Sequence, residues 1–155
     1  MPEYCVDTSS IVYGWREHYP PAHFPSLWLR MEEAIEGGLV VAPRDVLLEL
    51  ERVEPDAYKW AKGQKRLSLE LDEPIQKATR RILSQYRELV KEKANRTRAD
   101  AFVIAVAEVH TCTVVTNEKP TYSMARPHIP DVCGKLGIRC IDLLGLIRDR
   151  GWVIG

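Results

Sequence analysis

The sequence predicts an α/β fold with three layers, in which a mainly parallel central sheet is covered by helices on both faces. Short apolar segments typical of buried strands alternate along the chain with longer segments of helical periodicity. This alternation is the pattern of parallel sheets with helical crossovers. The chain has 155 residues, 45% of them hydrophobic, which suits a single domain over residues 1–155 with a substantial core.

The overall charge and composition exclude several classes of protein. The 22 basic and 22 acidic side chains cancel, so no global field favours nucleic acid or a membrane surface. No apolar run reaches the roughly 18 residues that span a bilayer, and the N-terminus lacks the layout of a signal peptide. We therefore expect a cytoplasmic protein without membrane contact. The four cysteines lack CxxC spacing and are expected to be reduced core thiols.

The first predicted strand leads directly into the first candidate site residue. Tyr4, Cys5 and Val6 are typical of a buried strand, and Asp7 follows where that strand should end. Ligands of open α/β sheets bind at this edge. The hydroxyl residues 8–10 that follow are also typical of a helix start, so Asp7 either caps the next helix or belongs to a site.

Turn residues divide the next part of the chain into helix, strand and helix. Pro20-Pro21 interrupt regular structure, and Pro25 begins a helix that ends at Gly37-Gly38. Residues 39–42 form a second buried strand, and Pro43 begins the next helix.

One of the two acids in that next helix should face the core. Val46, Leu50 and Val53 form its apolar face. At about 100° per residue, Glu49 lies about 60° from Val46, whereas Glu51 lies about 140° from it. A buried carboxylate is costly unless it is paired, protonated or bound to a metal. Glu49 is therefore either a boundary residue whose head reaches solvent or a site residue.

The charged residues 55–93 are mostly helical by pattern and leave two questions open. Leu67, Leu69 and Leu71 form either a short strand or an extended link. Trp60 lies among basic side chains, which either hold a nucleic-acid backbone or form a solvated helix face.

The strongest pattern lies between residues 98 and 119. Residues 101–107 are apolar on every side of a helix, which predicts a helix buried in the core. Asp100 stands in its first turn on the same face as Ile104, although Thr97 and Asp100 also fit a capping box. A strand over residues 113–116 follows, and Glu118 comes directly after it.

The last part of the chain again alternates helix and strand, and the predicted topology brings the acids together. Pro130-Asp131 begin a helix, residues 138–141 form a strand, and Asp142 caps the last helix. Asp7 and Glu118 should lie at the carboxyl edge of the sheet, joined there by Glu49 and Asp100 from flanking helices. Converging carboxylates repel one another, and a hard divalent metal with oxygen ligands would relieve that repulsion.

Four short motifs occur in a fixed order along the chain. They are Asp7-Thr8-Ser9 after the first strand, Glu49 in VLLEL, Asp100 in ADAFVIAVA, and Thr116-Asn117-Glu118 after Val-Val. In this order and spacing they resemble the PIN domain over almost the whole chain. The segments 19–28 and 129–133 resemble more narrowly an uncharacterised prokaryotic PIN subfamily.

The resemblance implies a PIN-like fold and a metal-dependent endoribonuclease that hydrolyses RNA phosphodiester bonds. It implies Mg²⁺ or Mn²⁺ as the cofactor, and Asp7, Glu49 and Asp100 match three acidic positions of the family. The family's fourth acid is usually an Asp, whereas this chain has Glu118, so either Glu118 or Asp131 completes the metal site. Thr8 and Thr116 are candidates to donate a hydrogen bond to a metal ligand or to a substrate phosphate.

The resemblance also implies partners. Similarity to the VapC toxins of toxin–antitoxin pairs implies RNA as substrate, an antitoxin protein as inhibitor, and a homodimer. Trp15, Trp28 and Trp152 add apolar groups that one small core would not fully bury, which favours the homodimer. The alternative is a catalytically weak or inactive PIN module that serves as an RNA-binding or scaffold protein. An aspartyl-phosphate phosphatase is disfavoured because Ser9 stands where that class has a second acid.

Overall fold

The computed structural model describes residues 1–91 and 99–155, and these form a parallel sheet between layers of helices. The strands are β1 (Tyr4–Val6), β2 (Val40–Pro43), β3 (Ser68–Leu69), β4 (Thr113–Val115) and β5 (Cys140–Ile141). Their order across the sheet is β3-β2-β1-β4-β5, and every pair is parallel. The predicted three-layer α/β/α fold is confirmed.

The helices begin at or next to the predicted residues, except that Pro43, predicted to begin a helix, is the last residue of β2, and the next helix begins at Arg44. The helices are α1 (Thr8–Tyr13), α2 (Pro25–Glu36), α3 (Arg44–Val53), α4 (Pro55–Lys62), α5 (Glu73–Gln85), α6 (Glu88–Lys91), α7 (Ala99–His110), α8 (Ile129–Leu136) and α9 (Leu143–Arg150). A π-helical turn, Gly14–His18, continues α1. Proline lies in the first turn of α2, α4, α5 and α8, where its missing N–H group costs nothing.

The order of the strands determines where a site can form. The chain moves outward from β1 through β2 to β3, and then returns to the other side of β1 with β4. The edge between β1 and β4 is therefore the topological switch point, where α/β sheets bind ligands. Val6 pairs with Val115, so the next residues, Asp7 and Thr116, leave the sheet side by side.

The helix predicted to be buried is the centre of the core. The residues of α7 from Val103 to Ala107 are 0–1% exposed, and the helix packs against α5, β1 and β2. Burial on all sides explains its lack of a polar face, so this prediction is confirmed. The capping box suggested for Thr97 and Asp100 involves a residue outside the described part of the chain.

Two details of the sequence interpretation need correction. Val53, assigned to the apolar face of α3, is 43% exposed because it lies in the last turn of the helix. Trp28 is only 3% exposed, and Trp15 packs edge-on against it with ring centroids 4.9 Å apart. Trp15 and Trp152 are partly buried and pack against the core, so these residues give the homodimer prediction less support than the sequence suggested.

The structure answers the question about the leucine segment and shows how the Trp60 ring is packed. Leu69 belongs to the short strand β3, which pairs with β2. Trp60 packs against Trp28 with ring centroids 5.0 Å apart, so its ring is held in an aromatic cluster and is not offered for base stacking.

The remaining composition predictions concern thiols and membranes. The four cysteines are free, as predicted, and three of them are buried. Among the described helices, none combines the length and the apolar character needed to cross a bilayer.

Candidate metal centre

Three predicted acids meet at the carboxyl edge of the sheet. Asp7 follows β1, Glu118 follows β4 after a two-residue link, and Asp100 comes from the first turn of α7. Each offers a carboxylate oxygen, and these oxygens all lie within 4.8 Å of one another. Asp7 is 2% exposed and Asp100 is 6% exposed. The three acids line a cavity of about 280 Å³, which Glu49 also borders.

Asp7 does not use its side chain as a helix cap. It occupies the position before α1, yet its carboxylate makes no capping hydrogen bond. Instead, its Oδ2 accepts hydrogen bonds from Ser9 Oγ at 2.7 Å and Thr116 Oγ1 at 2.9 Å. The backbone carbonyl of Asp7 accepts from the Ser10 hydroxyl at the helix start. The side chain is therefore held toward the cavity, and the capping interpretation of Asp7 is wrong.

A hydroxyl network fixes the acids at the strand ends. Ser9 Oγ lies 3.1 Å from Thr116 Oγ1 and accepts a hydrogen bond from the Asn117 N–H group. Thr116 Oγ1 accepts from the Glu118 N–H group at 3.1 Å. Because Thr116 is 2% exposed, it positions Asp7 and does not face a substrate. Sequence reasoning missed Ser9; the signal was a hydroxyl two residues after a strand-end Asp.

Glu49 lies beside the three acids, on α3. It is 8% exposed, whereas Glu51 is exposed, so the predicted orientation of the helix is confirmed. Thr8 Oγ1 donates a hydrogen bond to Glu49 Oε1 at 3.3 Å. Thr8, like Thr116, thus contacts an acid of the site. Glu49 is not one of the three acids whose oxygens lie within 4.8 Å of one another.

Glu118, which stands where the PIN domain usually has Asp, is one of the three clustered acids. Its side chain is 10% exposed, and its Oε1 accepts a hydrogen bond from the Ile129 N–H group at 3.2 Å. His128 Nδ1 lies 3.9 Å from the same oxygen. The longer side chain is therefore held by the first turn of α8.

Asp131 does not belong to the centre. Its carboxylate accepts hydrogen bonds from the N–H groups of Thr121, Tyr122 and His128 and from the Thr121 hydroxyl. Partial burial raises the pKa of Asp131, but these hydrogen bonds outweigh it and hold the pKa below its usual value. The carboxylate is used to close the loop 119–128 onto α8, so the predicted metal role of Asp131 is not supported.

This role of Asp131 predicts the effect of replacing it. Asp131→Asn keeps one acceptor oxygen but turns an amide N–H toward backbone donors, so several charge-assisted hydrogen bonds are lost. We expect a loss of about 1–3 kcal/mol in the free energy of unfolding, a drop of several degrees in melting temperature, and an unchanged Mn²⁺ affinity. Thermal melts and Mn²⁺ titrations beside Glu118→Gln check this. A larger loss of Mn²⁺ affinity in Asp131→Asn than in Glu118→Gln would show that Asp131 is a metal ligand.

Proximity changes the ionisation of the central acid. Burial, the Asp100 carboxylate and Glu118 raise the pKa of Asp7 to about 7, while the hydrogen bonds from Ser9 and Thr116 oppose the rise. The Asp7 carboxyl group therefore holds its proton up to near-neutral pH, because ionisation would place a second and third negative charge close together. A hard divalent ion would remove this repulsion, and oxygen atoms are the ligands that Mg²⁺ and Mn²⁺ prefer. The donor set fits the predicted cofactors.

The mouth of the cavity was not predicted. Tyr13, Arg16 and Glu17 line it from the end of α1 and the π-helical turn. Arg16 donates hydrogen bonds to the Glu54 carboxylate and the Val53 carbonyl, which fixes its guanidinium at the rim. Ser9, Tyr13 and Arg16 are spaced so that one helix face could carry all three, but the sequence contains no marker of the π-helical turn that holds Arg16.

The fold and the site together define a parallel α/β domain with a cluster of three carboxylates, two of them on buried residues, at its switch point. The chain belongs to the family described as "Domain of unknown function (DUF4411)", which matches residues 4–154. Among solved structures, the crystal structure of PAE2754 from Pyrobaculum aerophilum is similar at 17% sequence identity and a TM-score of 0.44. The similarity covers 88% of this chain and 97% of that chain. No curated protein matches the chain.

Proposed function

We propose that this protein is a divalent-metal-dependent endoribonuclease of the PIN type. One observation carries the proposal: Asp7, Asp100 and Glu118 converge in a cavity with carboxylate oxygens within 4.8 Å of one another. Such an arrangement is costly for folding and is therefore expected where it serves function. The choice of RNA as substrate rests on the sequence resemblance.

The cavity collects carboxylate oxygens, which are the ligands that a hard divalent ion prefers. Arg16 is the cation among the described residues that line it, and its hydrogen bonds go to Glu54 and Val53. Asp7, Asp100 and Glu118 would hold Mg²⁺ or Mn²⁺. When bound, the ion would supply positive charge that polarises a phosphodiester and favours ionisation of a water molecule.

The protein's own residues would then orient the reactants. Ser9 and Thr116 hold the Asp7 carboxylate, and Ile129 holds Glu118, so the acids need little rearrangement. Glu49 borders the cavity with its Oε1 accepting from Thr8, and we assign it to position the attacking water. A general-base histidine is not required by this arrangement.

The biological setting follows the same resemblance. A toxin role in a toxin–antitoxin pair, inhibition by an antitoxin protein and a homodimer stay predictions. A catalytically inactive PIN module that binds RNA or serves as a scaffold is the alternative.

Incubation with a single-stranded RNA oligonucleotide tests the proposal. We expect cleavage with Mn²⁺ present, no cleavage after chelation, and loss of cleavage in Asp100→Asn because a buried ligand charge is removed. Asp56→Asn is the matched control, since Asp56 is an exposed acid in the first turn of α4. If wild-type protein neither binds a divalent ion nor cuts RNA with Mn²⁺, the nuclease proposal fails and the scaffold alternative is favoured.

A further inference from the structure

A second cavity lies next to the acidic one. It has a volume of about 430 Å³, and its lining includes His18, Asn117, Lys119 and Asp142. We call it the Lys119 cavity. We propose that it binds the phosphate next to the scissile phosphate of a single-stranded RNA, with Lys119 as the main contact. This inference rests on the proposed function and extends it to substrate binding.

A thin wall of protein separates the two cavities. Ser9 and Glu118 line the acidic cavity, whereas their chain neighbours Ser10, Asn117 and Lys119 line the other one. The Asn117 N–H group donates to Ser9 Oγ at 2.9 Å, which joins the two chain segments across the wall. A strand of nucleic acid that crosses this wall would present successive phosphates to the two cavities in turn.

Two stacked aromatic rings contribute one ring to the lining of each cavity. Tyr13 lines the acidic cavity, His18 lines the Lys119 cavity, and their rings stack with centroids 6.3 Å apart. Tyr13 is 41% exposed, and His18 is also exposed. An exposed aromatic face between two phosphate positions suits a nucleobase, because base stacking on such rings does not depend on sequence.

The acidic cavity is lined by several carboxylates, whereas the Lys119 cavity offers a cation to a phosphate. Lys119 is exposed, and no carboxylate of the described residues forms an ion pair with its ammonium group. The lining also contains the carboxylate of Asp142, which accepts a hydrogen bond from the Gly145 N–H group at 2.8 Å. This position at the N-terminus of α9 offsets the charge of Asp142. The acidic cavity repels RNA before an ion binds. Lys119 would attract a phosphate from the neighbouring cavity and leave the ion position open.

A salt titration of RNA binding tests the proposal. Asp7→Asn serves as the parent so that RNA is not cut, and fluorescence anisotropy with a short single-stranded RNA gives the affinity at several salt concentrations. Because one phosphate contact is removed, Lys119→Ala should bind several-fold more weakly and lower the steepness of log K against log salt by about 0.7. Lys119→Arg should restore both. Lys77→Ala is the control, since Lys77 is exposed on α5 beside Glu73, and it should change neither.

The outcomes separate this inference from the proposed function. If Lys119→Ala keeps the parent's affinity and salt dependence while wild-type protein cuts RNA with Mn²⁺, the inference is overturned and the nuclease proposal stands. If the salt dependence falls as expected but wild-type protein does not cut RNA, the cavity binds RNA and the nuclease proposal fails. Absence of RNA binding by the Asp7→Asn parent overturns the inference. A DNA oligonucleotide of the same sequence should show the same loss in Lys119→Ala, because the contact is to a phosphate.

Discussion

Asp7→Asn should abolish Mn²⁺-dependent RNA cleavage and raise the melting temperature of the metal-free protein. The asparagine oxygen still accepts the hydrogen bonds that Ser9 and Thr116 donate to Asp7. The substitution removes a buried charge that Asp100 and Glu118 repel, so the metal-free fold gains stability. Activity should fall by more than the roughly 10–100-fold typical of losing a group that only orients a metal ligand.

Cleavage assays and thermal melts in chelator measure both effects. Asp56→Asn is the control again, and it should match the wild-type protein in both assays. Wild-type activity in Asp7→Asn would show that Asp7 is not a ligand. A melting temperature several degrees lower would show that the Asp7 charge supports the fold instead of straining it.

The second large effect is a pH-dependent stabilisation by Mn²⁺. The pKa of Asp7 rises from 3.8 to about 7 on folding, so the folded state holds a proton that the unfolded state has lost between these values. The contribution of Asp7 to the free energy of unfolding of the metal-free protein therefore falls as pH rises from about 4 to about 7. Mn²⁺ at about 1,000 times its Kd should restore about 4 kcal/mol above pH 7, or roughly 10 °C in melting temperature.

Melts from pH 4.5 to 8, with and without Mn²⁺, check this expectation. The difference between wild-type protein and Asp7→Asn reports the ionisation of Asp7 together with its repulsion by Asp100 and Glu118, because carboxylates outside this cluster contribute equally to both proteins. In metal-free buffer that difference should grow in favour of Asp7→Asn as pH rises. A difference that does not change with pH, together with no Mn²⁺ effect at pH 7.5, would contradict the expected ionisation of the centre.

Sequence periodicity was sufficient to locate most of the acids. Asp7 and Glu118 follow short apolar segments that were predicted as strands, and parallel strands end at one edge. Glu49 and Glu51 were distinguished by helical spacing alone, which holds because α3 is regular over both residues. These residues are predictable because local backbone geometry determines where they point.

Other features depend on contacts that local patterns do not encode. Asp131 has the sequence context of a site acid, but donors from the loop 119–128 determine its role. The π-helical turn changes which residues after Tyr13 reach the cavity, and its sequence, GWREH, carries no marker for it. The packing of Trp15 and Trp60 against Trp28 was missed because it depends on tertiary contacts between separate helices.

The structure also explains how the chain accommodates Glu118 where the resembling family usually has Asp. An additional methylene group lengthens the side chain and adds a rotatable bond, which costs entropy when the carboxylate is ordered. The Ile129 N–H group holds its Oε1, and the Thr116 hydroxyl holds its backbone N–H group. The longer acid is thus fixed at both ends, which keeps its oxygens within the cluster.

Calorimetric titration of Mn²⁺ into wild-type protein and Asp7→Asn at pH 7.5 tests the central claim most directly. The centre formed by Asp7, Asp100 and Glu118 predicts saturable binding to the wild-type protein, release of a fraction of a proton on binding, and binding at least tenfold weaker in Asp7→Asn. Equal Mn²⁺ binding by the two proteins, or no binding by either, would contradict a metal centre at these acids.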